Sequence, residues 1–272
     1  MTARARIGIS GWRYASWRGD FYPTGLRQAD ELAYAASRLN SIEINGSFYS
    51  LQRPSSWLRW REAVPDDFVF AVKGPRFVTH LKRLRDVEEA LANFFASGVL
   101  ALGPKLGPLV WQTPADLPYD SDVVDRFLDL LPATTSAALD LARNRHERMR
   151  GRELLEIDAD RPLRHAFEPR HPSFGAPAFV DAVGARQMAI VLADSAGTWP
   201  AWDRVTDGFA YARLHGDTEL YASGYSPAAL DRWADWMRGH LAAGRDAYLY
   251  FDNDARGRAP HDAVALRERI GA

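Results

Sequence analysis

The sequence predicts an α/β protein built as a single (β/α)8 barrel of the TIM type, and three observations support this prediction. Eight short apolar segments alternate with amphipathic helical patterns along the chain, which is typical of parallel strands joined by helices. The segments are rich in Val, Ile, Phe and Tyr, as strands buried on both faces should be. A length of 272 residues suits such a barrel, so we expect one barrel domain over residues 1–272.

The predicted strands are short and continuously apolar, and each is followed by turn-forming or polar residues. They cover residues 7–11, 41–45, 68–73, 107–112, 164–168, 189–193, 210–215 and 247–252.

Helical patterns occupy the stretches between these strands. Apolar residues repeat at the spacing of one helix face in sets that begin at Leu32, Val87, Val124, Phe179, Leu230 and Val264. Ser121 is the expected N-cap after the fourth strand, and Ser226 followed by Pro227 is the expected helix start after the seventh. The alternative fold is an open doubly wound sheet, but no Gly-rich dinucleotide-binding turn follows the first strand.

A helical insertion is predicted between the fourth and fifth strands, over residues 133–161. It carries a basic cluster of Arg143, Arg145, His146, Arg148, Arg150 and Arg152. Two interpretations remain open: a solvated helical segment with Glu147, Glu153 and Glu156 as acidic partners, or a phosphate-binding arm. Charge runs alone are weak signals, which favours the first.

Composition excludes several classes of protein. The chain has no Cys, so disulfides, thiolate nucleophiles and zinc fingers are ruled out. No apolar run approaches the ~20 residues of a membrane span, and the basic residues 1–6 lead into a strand rather than an apolar signal segment. We therefore expect a cytoplasmic protein without a membrane partner. The formal net charge of −1 weakens the case for a general nucleic-acid binder.

Polar residues follow strand after strand at the end where a barrel carries its chemistry. Side chains alternate along a strand, so Glu43 and Asn45 should share the inner face, as should Glu168 with Arg170 and Arg213 with His215. Lys73, Asp194 and Asn253 end three further strands.

Such groups must be paired or hydrated, because an isolated buried charge is costly. We expect Glu43, Glu168 and Asp194 to balance Lys73, Arg170 and Arg213. This set is either an ion network that closes the barrel or a functional pocket, and the position at the strand ends favours a pocket. Aromatic residues such as Trp12, Tyr49 and Trp199 follow the same strands and suit a sugar or nucleobase ligand.

Several of these motifs together resemble the YecE-like family, a domain-of-unknown-function family numbered seventy-two. The matching stretches include Gly11-Trp12-Arg13-Tyr14, Glu43-Ile44-Asn45, Glu168-Pro169-Arg170-His171, Arg213-Leu214-His215-Gly216 and Tyr250-Phe251-Asp252-Asn253. They run from Gly8 to about Asn253, nearly the whole chain. The resemblance implies a TIM-like barrel, similar to those of endonuclease IV and xylose isomerase, and it implies no particular reaction.

The first functional hypothesis is an enzyme acting on a phosphorylated, nucleotide-like or otherwise anionic substrate, with hydrolase-type chemistry favoured. We expect the catalytic residues to be Glu43 and Glu168 as acid or base, His215 as proton shuttle and Asp194 as orienter. The expected substrate-binding residues are Trp12, Asn45, Lys73, Arg170, His171, Arg213 and Asn253.

Three alternatives stay open. A metal-dependent hydrolase of the repair-endonuclease type would draw ligands from Glu43, His80, Glu168, His171, Asp194 and His215. No compact metal-binding motif is present, however, so no cofactor is predicted, and a divalent metal is the less favoured alternative. A glycoside hydrolase would pair the carboxylates of Glu43 and Glu168. A non-catalytic nucleic-acid-binding module would use the basic insertion. The oligomeric state is left open.

Overall fold

Eight parallel strands close into a barrel in a computed structural model that describes residues 2–206 and 208–271. The strands pair in chain order, and β8 returns to pair with β1. They are β1 (Ala5–Ser10), β2 (Ser41–Ile44), β3 (Val69–Lys73), β4 (Leu106–Gln112), β5 (His165–Glu168), β6 (Ala189–Asp194), β7 (Ala210–Leu214) and β8 (Ala247–Phe251). The predicted (β/α)8 barrel is confirmed.

Helices surround this barrel. They are α1 (Glu31–Arg38), α2 (Gly46–Tyr49), α3 (Pro54–Glu62), α4 (Glu88–Ala96), α5 (Ser121–Asp129), α6 (Thr135–Arg143), α7 (Pro177–Ala185), α8 (Pro227–Ala242) and α9 (Ala259–Ile270). Among the described residues, no helix combines the length and the apolar character needed to cross a bilayer.

Two predicted helix starts can be compared with the structure. Ser226 caps α8 as expected, because its hydroxyl accepts the Ala229 N–H and Pro227 occupies the first helical position. The N-cap of α5 is Asp120 rather than Ser121. The Asp120 carboxylate accepts the Val123 N–H, and a carboxylate is an equally good cap placed one residue earlier.

The connection between β6 and β7 departs from the alternating pattern. Within its described part, residues 195–206 and 208–209, no helix forms. Ala196 and Gly197 both have positive φ, and Pro200 lacks the N–H that a helix interior needs. This extended loop places Trp199 and Trp202 near the carboxyl ends of the strands instead of in an outer helix.

The barrel interior and the helix layer form two separate apolar cores. Small residues and tyrosines such as Ala71, Val110 and Tyr211 fill the inside, while Ile42 and Phe70 on the opposite strand faces pack against the helices. This is the alternation expected from the sequence. The Gly8 position leaves no room for a side chain, because an added Cβ would lie 2.1 Å from the Ser41 carbonyl oxygen.

The basic segment between β4 and β5 lies on the outside of the barrel, against α4. The His146 N–H donates to Asn93 Oδ1 at 2.9 Å, and the Leu154 N–H donates to the Ala96 carbonyl at 2.9 Å. Arg145 pairs with Glu153 at 2.6 Å, one of the acidic partners expected for the segment. The chain then enters β5 at its amino end, so these arginines lie away from the carboxyl ends of the strands.

Candidate functional site

The inward-facing polar residues at the carboxyl ends of the strands meet in one ion network centred on Arg213. Its guanidinium is 0% exposed and contacts Glu43 at 2.8 Å, Glu168 at 3.0 Å and Asp252 at 2.9 Å. Burial alone would lower the pKa of Arg213, but the three carboxylates outweigh burial and hold that pKa well above its ordinary value. The residue is thus a permanent cation at the centre of three anions.

Glu43, from β2, is held by hydrogen bonds on both carboxylate oxygens. The Ser10 hydroxyl donates to Oε1 at 2.9 Å, and the Tyr211 hydroxyl donates to Oε2 at 2.6 Å. Arg213 also donates to both oxygens. Burial and the neighbouring negative charge of Glu43 raise the pKa of Tyr211 well above its usual value, so the phenol remains a donor. Glu43 is therefore a fully bonded, fixed anion.

Glu168, from β5, is equally constrained. Its Oε1 accepts from Gln112 at 2.7 Å and from Arg170 Nε at 2.8 Å, while Oε2 accepts from Arg213 at 3.0 Å. Burial would raise the pKa of Glu168, but the charges of Arg170 and Arg213 reverse the effect and hold it far below its ordinary value. A carboxylate held ionised in this way is a weak base, and it best serves to position the two arginines.

Asp252 supplies the third carboxylate, and His215 packs beside it. Asp252 Oδ2 lies 2.9 Å from Arg213 Nη2 and 3.1 Å from His215 Nδ1. The pKa of Asp252, which burial would raise, is lowered to about 2 by Arg213 and His215. Despite the ion-pair distance, neither ring nitrogen of His215 makes a hydrogen bond to a described residue. Burial, reinforced by the Arg213 charge, lowers the pKa of His215.

The predicted charge balance is wrong at Asp194, because Asp252 joins the network in its place. Asp194 lies one residue beyond the inward-facing Ala193 and shares the helix-facing side of β6 with Leu192. It accepts a hydrogen bond from the Tyr225 hydroxyl at 3.1 Å. Burial raises the pKa of Asp194. Its contacts tie β6 to the loop after β7 and do not reach Arg213.

Lys73 is the cation of this region that has no anionic partner. Its side chain is buried, with only 8% of the residue exposed, and its ammonium lies 4.2 Å from the centre of the Phe48 ring. Within the described chain, no hydrogen bond or ion pair reaches this ammonium. Burial lowers the pKa of Lys73 to about 8, with Arg213 acting in the same direction and the carboxylates opposing it.

His80 and Arg170 complete the outer layer of the site, and we call the group of Lys73, His80 and Arg170 the cationic mouth. The Arg170 guanidinium stacks 3.6 Å above the Trp199 ring, and its side chain is 11% exposed. His80 is partly buried, with its Nδ1 2.9 Å from Thr79 Oγ1. Burial, together with the charges of Lys73, Arg170 and Arg76, lowers the pKa of His80 to about 4.

His80 was expected only as a metal ligand, so its place in the mouth goes beyond the sequence prediction. It lies in a π-helical turn, Phe77–Leu81, just after β3. Such turns occur often at functional sites, but no periodicity in the sequence distinguishes one from an ordinary loop.

An aromatic cleft of about 300 Å³ lies beside the mouth, between the segments that follow β1 and β2. Trp12, Tyr14, Asn45, Tyr49 and Trp60 line it. Trp12 is mostly buried and packs edge-on against Trp60, whereas Tyr49 is 71% exposed. The buried Asn45 Oδ1 has no hydrogen-bond partner among the described residues. Phe48 joins the cleft to the mouth, because its ring contacts both Tyr49 and Lys73.

Two predicted binding residues also make contacts that hold local structure. Asn253 Nδ2 donates to the Ser223 carbonyl at 2.9 Å and to Asp262 at 2.8 Å, which ties the loop after β7 to α9. His171 accepts the Ser173 N–H through Nδ1 at 3.2 Å and caps a short turn. Both residues lie near the carboxyl ends of the strands, and Asn253 Nδ2 and His171 Nδ1 are already hydrogen-bonded.

Four of the six side chains expected as metal ligands are engaged by other groups. Glu43 and Glu168 direct their oxygens to Arg213, and Asp194 and His171 are engaged elsewhere. In residues 2–206 and 208–271, no group of three or more His, Asp or Glu side chains is placed to hold a cation. Three cationic side chains around His80 would also repel one.

Comparisons with known proteins agree with this architecture. The model of the DUF72 family, whose description is "protein of unknown function", matches residues 6–272 of the chain. The UPF0759 protein YecE of Escherichia coli K12 is 32% identical over 127 residues, which are 46% of this chain and 44% of that protein. The match thus spans less than half the length of the curated relative.

Solved structures of the same family are similar over their whole length. A DUF72 family protein from Thermotoga maritima has 20% sequence identity and a TM-score of 0.77, with 99% of this chain and 100% of that chain covered. A DUF72 family protein from Enterococcus faecalis has 17% identity and a TM-score of 0.70, with 99% and 98% covered. At these identities the similarity shows a shared fold. The family match from residue 6 to residue 272 confirms the resemblance seen in the motifs, and the chain belongs to the DUF72 family.

Proposed function

We propose that this protein is an enzyme whose substrate is anionic, phosphorylated or nucleotide-like, and binds at the cationic mouth. The observation that carries the proposal is the environment of His80. Burial is the largest cause of the lowered pKa of its ring, and the charges of Lys73, Arg170 and Arg76 lower that pKa further against the opposing charge of Glu168, so positive charge predominates around His80. A site of this kind favours an anion.

The two arginines of the site have different tasks in this proposal. Arg213 is saturated by three carboxylates and buried, so it fixes the geometry and does not bind substrate. Arg170 Nε donates to Glu168, and the side chain remains partly exposed above Trp199. Its terminal nitrogens can therefore bind anionic oxygens. The aromatic cleft beside the mouth suits a ring carried by the same ligand.

The proton-transfer group best supported by its surroundings is the His215–Asp252 pair. A lowered pKa keeps the imidazole neutral near pH 7, and the carboxylate beside Nδ1 favours the proton there, which leaves Nε2 as acceptor. The rings of Trp199 and Tyr221 pack edge-on against His215 and cover it. Substrate must displace one of them to reach Nε2, and we infer hydrolase-type chemistry at that nitrogen.

The alternatives gain less from the geometry. Arg213 stands between Glu43 and Glu168, so these carboxylates are not free to flank a glycosidic bond. The exposed arginines of residues 143–152 lie on the outer wall against α4, so a nucleic acid bound there would not contact the mouth.

Binding of inorganic phosphate tests the proposal. Thermal unfolding in increasing phosphate, with chloride at equal ionic strength as reference, should show a rising Tm for the wild type. A ligand at 100 times its Kd contributes about 2.7 kcal/mol to the stability of the folded state. Arg170→Gln should lose most of the rise, because Glu168 keeps its bonds to Gln112 and Arg213 while the anion loses its arginine.

The matched control is Arg148→Gln on the outer wall, which should keep the phosphate response. If the wild type hydrolyses a phosphate ester or a nucleotide, this activity should persist in the control and be lost in His215→Gln. The proposal is wrong if phosphate shifts the Tm no more than chloride does, or if Arg170→Gln responds like the wild type.

A further inference from the structure

Lysine is rare in this chain, and that rarity makes one position informative. Of 34 Lys and Arg residues, only Lys73, Lys82 and Lys105 are Lys. Lys82 is exposed, and Lys105 is buried with its ammonium donating to the carbonyls of Arg61 and Val64 at 2.8 Å each. Lys73 alone lies in the site. Arginine serves nearly every other cationic position and cannot lose its proton, so a lysine here offers chemistry that arginine lacks.

We propose that Lys73 Nζ is a nucleophile that forms a covalent imine with an aldehyde or ketone carbonyl of the substrate. This inference rests on the proposed function, because it places the carbonyl on the anionic molecule that the mouth binds. Arg170 then holds the anionic group while Lys73 attacks the carbonyl carbon.

The geometry keeps this amine free for reaction. Glu43, Glu168 and Asp252 are the carboxylates near Lys73, but all three are engaged by Arg213. The strand end that carries Lys73 is rigid, because the Ser47 hydroxyl donates to the Lys73 carbonyl at 2.6 Å and Gly74 packs against the Trp111 ring. The Phe48 face covers one side of the ammonium.

Competing effects decide the charge state of the amine. The Phe48 ring and the carboxylates favour the ammonium, whereas burial and the Arg213 charge favour the neutral form, and the net result is a pKa below the ordinary value. With a pKa of about 8, roughly a tenth of Lys73 is neutral at pH 7, against roughly one part in 2,500 for an ordinary lysine. The neutral amine is the form that attacks a carbonyl.

The step balances without any further reactant. The nitrogen lone pair forms the C–N bond as the carbonyl π pair moves to oxygen, which takes up a proton as the nitrogen loses one. The resulting carbinolamine then eliminates water, giving the imine. The net change is amine plus carbonyl to imine plus water, so no oxidant or reductant is consumed.

Reductive trapping tests the inference on the whole protein. Glyceraldehyde 3-phosphate and glyceraldehyde are each incubated with the protein and cyanoborohydride, and the modified lysines are mapped by peptide mass spectrometry. Lys73 should be labelled at least about 10-fold faster than the exposed Lys82, because its larger neutral fraction outweighs the lower nucleophilicity of a less basic amine. The labelling rate at Lys73 should rise with pH and level off above pH 8.

Variants separate this inference from the proposed function. Lys73→Arg cannot form the imine and should lose the label, whereas Lys82→Arg, at an exposed position outside the mouth, should keep both the label at Lys73 and the phosphate response. A phosphate response without preferential labelling of Lys73 by either aldehyde overturns the imine and leaves the anion site standing. Equal labelling by both aldehydes, with no response to phosphate, leaves the nucleophile standing and overturns the anionic substrate.

Discussion

Arg213 shows how a single residue can hold a site together. A buried cation with three carboxylate partners recovers the cost of desolvation only while all of its partners remain. The same contacts orient Glu168, which in turn orients Arg170 at the surface of the mouth. The sequence predicted a role in binding substrate for Arg213, whereas the function proposed above makes it a positioning residue, because internal anions saturate its guanidinium.

Replacing this cation should therefore cost stability. Arg213→Met leaves the buried carboxylates of Glu43 and Asp252 without a cation, while Glu168 keeps only Arg170, and we expect a loss of about 3–5 kcal/mol in the free energy of unfolding, measured by urea denaturation. Arg143→Met, which removes an exposed partner of Asp140, should change it by less than about 1 kcal/mol. A loss at Arg213 as small as at Arg143 would show that the network does not hold the barrel closed.

At the scale of elements, the sequence predicted where the strands end, but not always which face of the strand a side chain at that end lies on. Alternation assigned Glu43 and Arg213 to the inside because clearly aliphatic neighbours, Ile42 and Leu214, face the helices. It failed at β6 and β8. Both faces of β6 are apolar up to Ala193, so nothing marked Asp194 as outward. In β8 the tyrosines that line the barrel obscured which face continues into Asp252.

The end of β3 provides a prediction about an element, because its position sets that of Lys73. A Cβ added at Gly74 would lie 2.4 Å from the buried Trp111 ring, so Gly74→Ala must displace either that ring or the end of β3. We expect a loss of about 1–3 kcal/mol in the free energy of unfolding. Calorimetry of Gly74→Ala measures this loss, and Gly239→Ala is the control variant. At Gly239, within α8, an added Cβ meets no described atom within 4 Å, and alanine should stabilise the helix by up to about 1 kcal/mol. Equal effects at the two positions would refute the proposed packing constraint.

On the scale of the whole molecule, the sequence was most informative about what repeats. Eight apolar strands and the intervening helical stripes define the barrel, and the barrel topology brings distant strand ends together. That rule predicted that Glu43, Lys73, Glu168 and Arg213 would meet. It could not predict which of the three cations remains unpaired, because pairing depends on side-chain geometry across the barrel.

The opposite end of the barrel gives a prediction for the pH dependence of the whole fold. His165 is buried there, with its Nδ1 accepting the Trp111 indole N–H at 3.1 Å and its Nε2 2.8 Å from the Pro132 carbonyl oxygen. Burial lowers its pKa to about 4, whereas a histidine in an unfolded chain titrates near 6.5. Between these values the unfolded chain takes up a proton that the folded protein does not, so stability falls as the pH falls.

Integrated over this range, the proton contributes about 3 kcal/mol, fully present above pH 6.5 and lost on reaching pH 4. Urea denaturation from pH 7 to pH 4.5 should show this loss in the wild type and a shallower slope in His165→Gln. His80, whose pKa is also low, acts in the same direction in both proteins, so the difference between the slopes belongs to His165. Parallel slopes would mean that His165 becomes protonated within the folded protein, and the barrel would then have to open around Trp111 without unfolding.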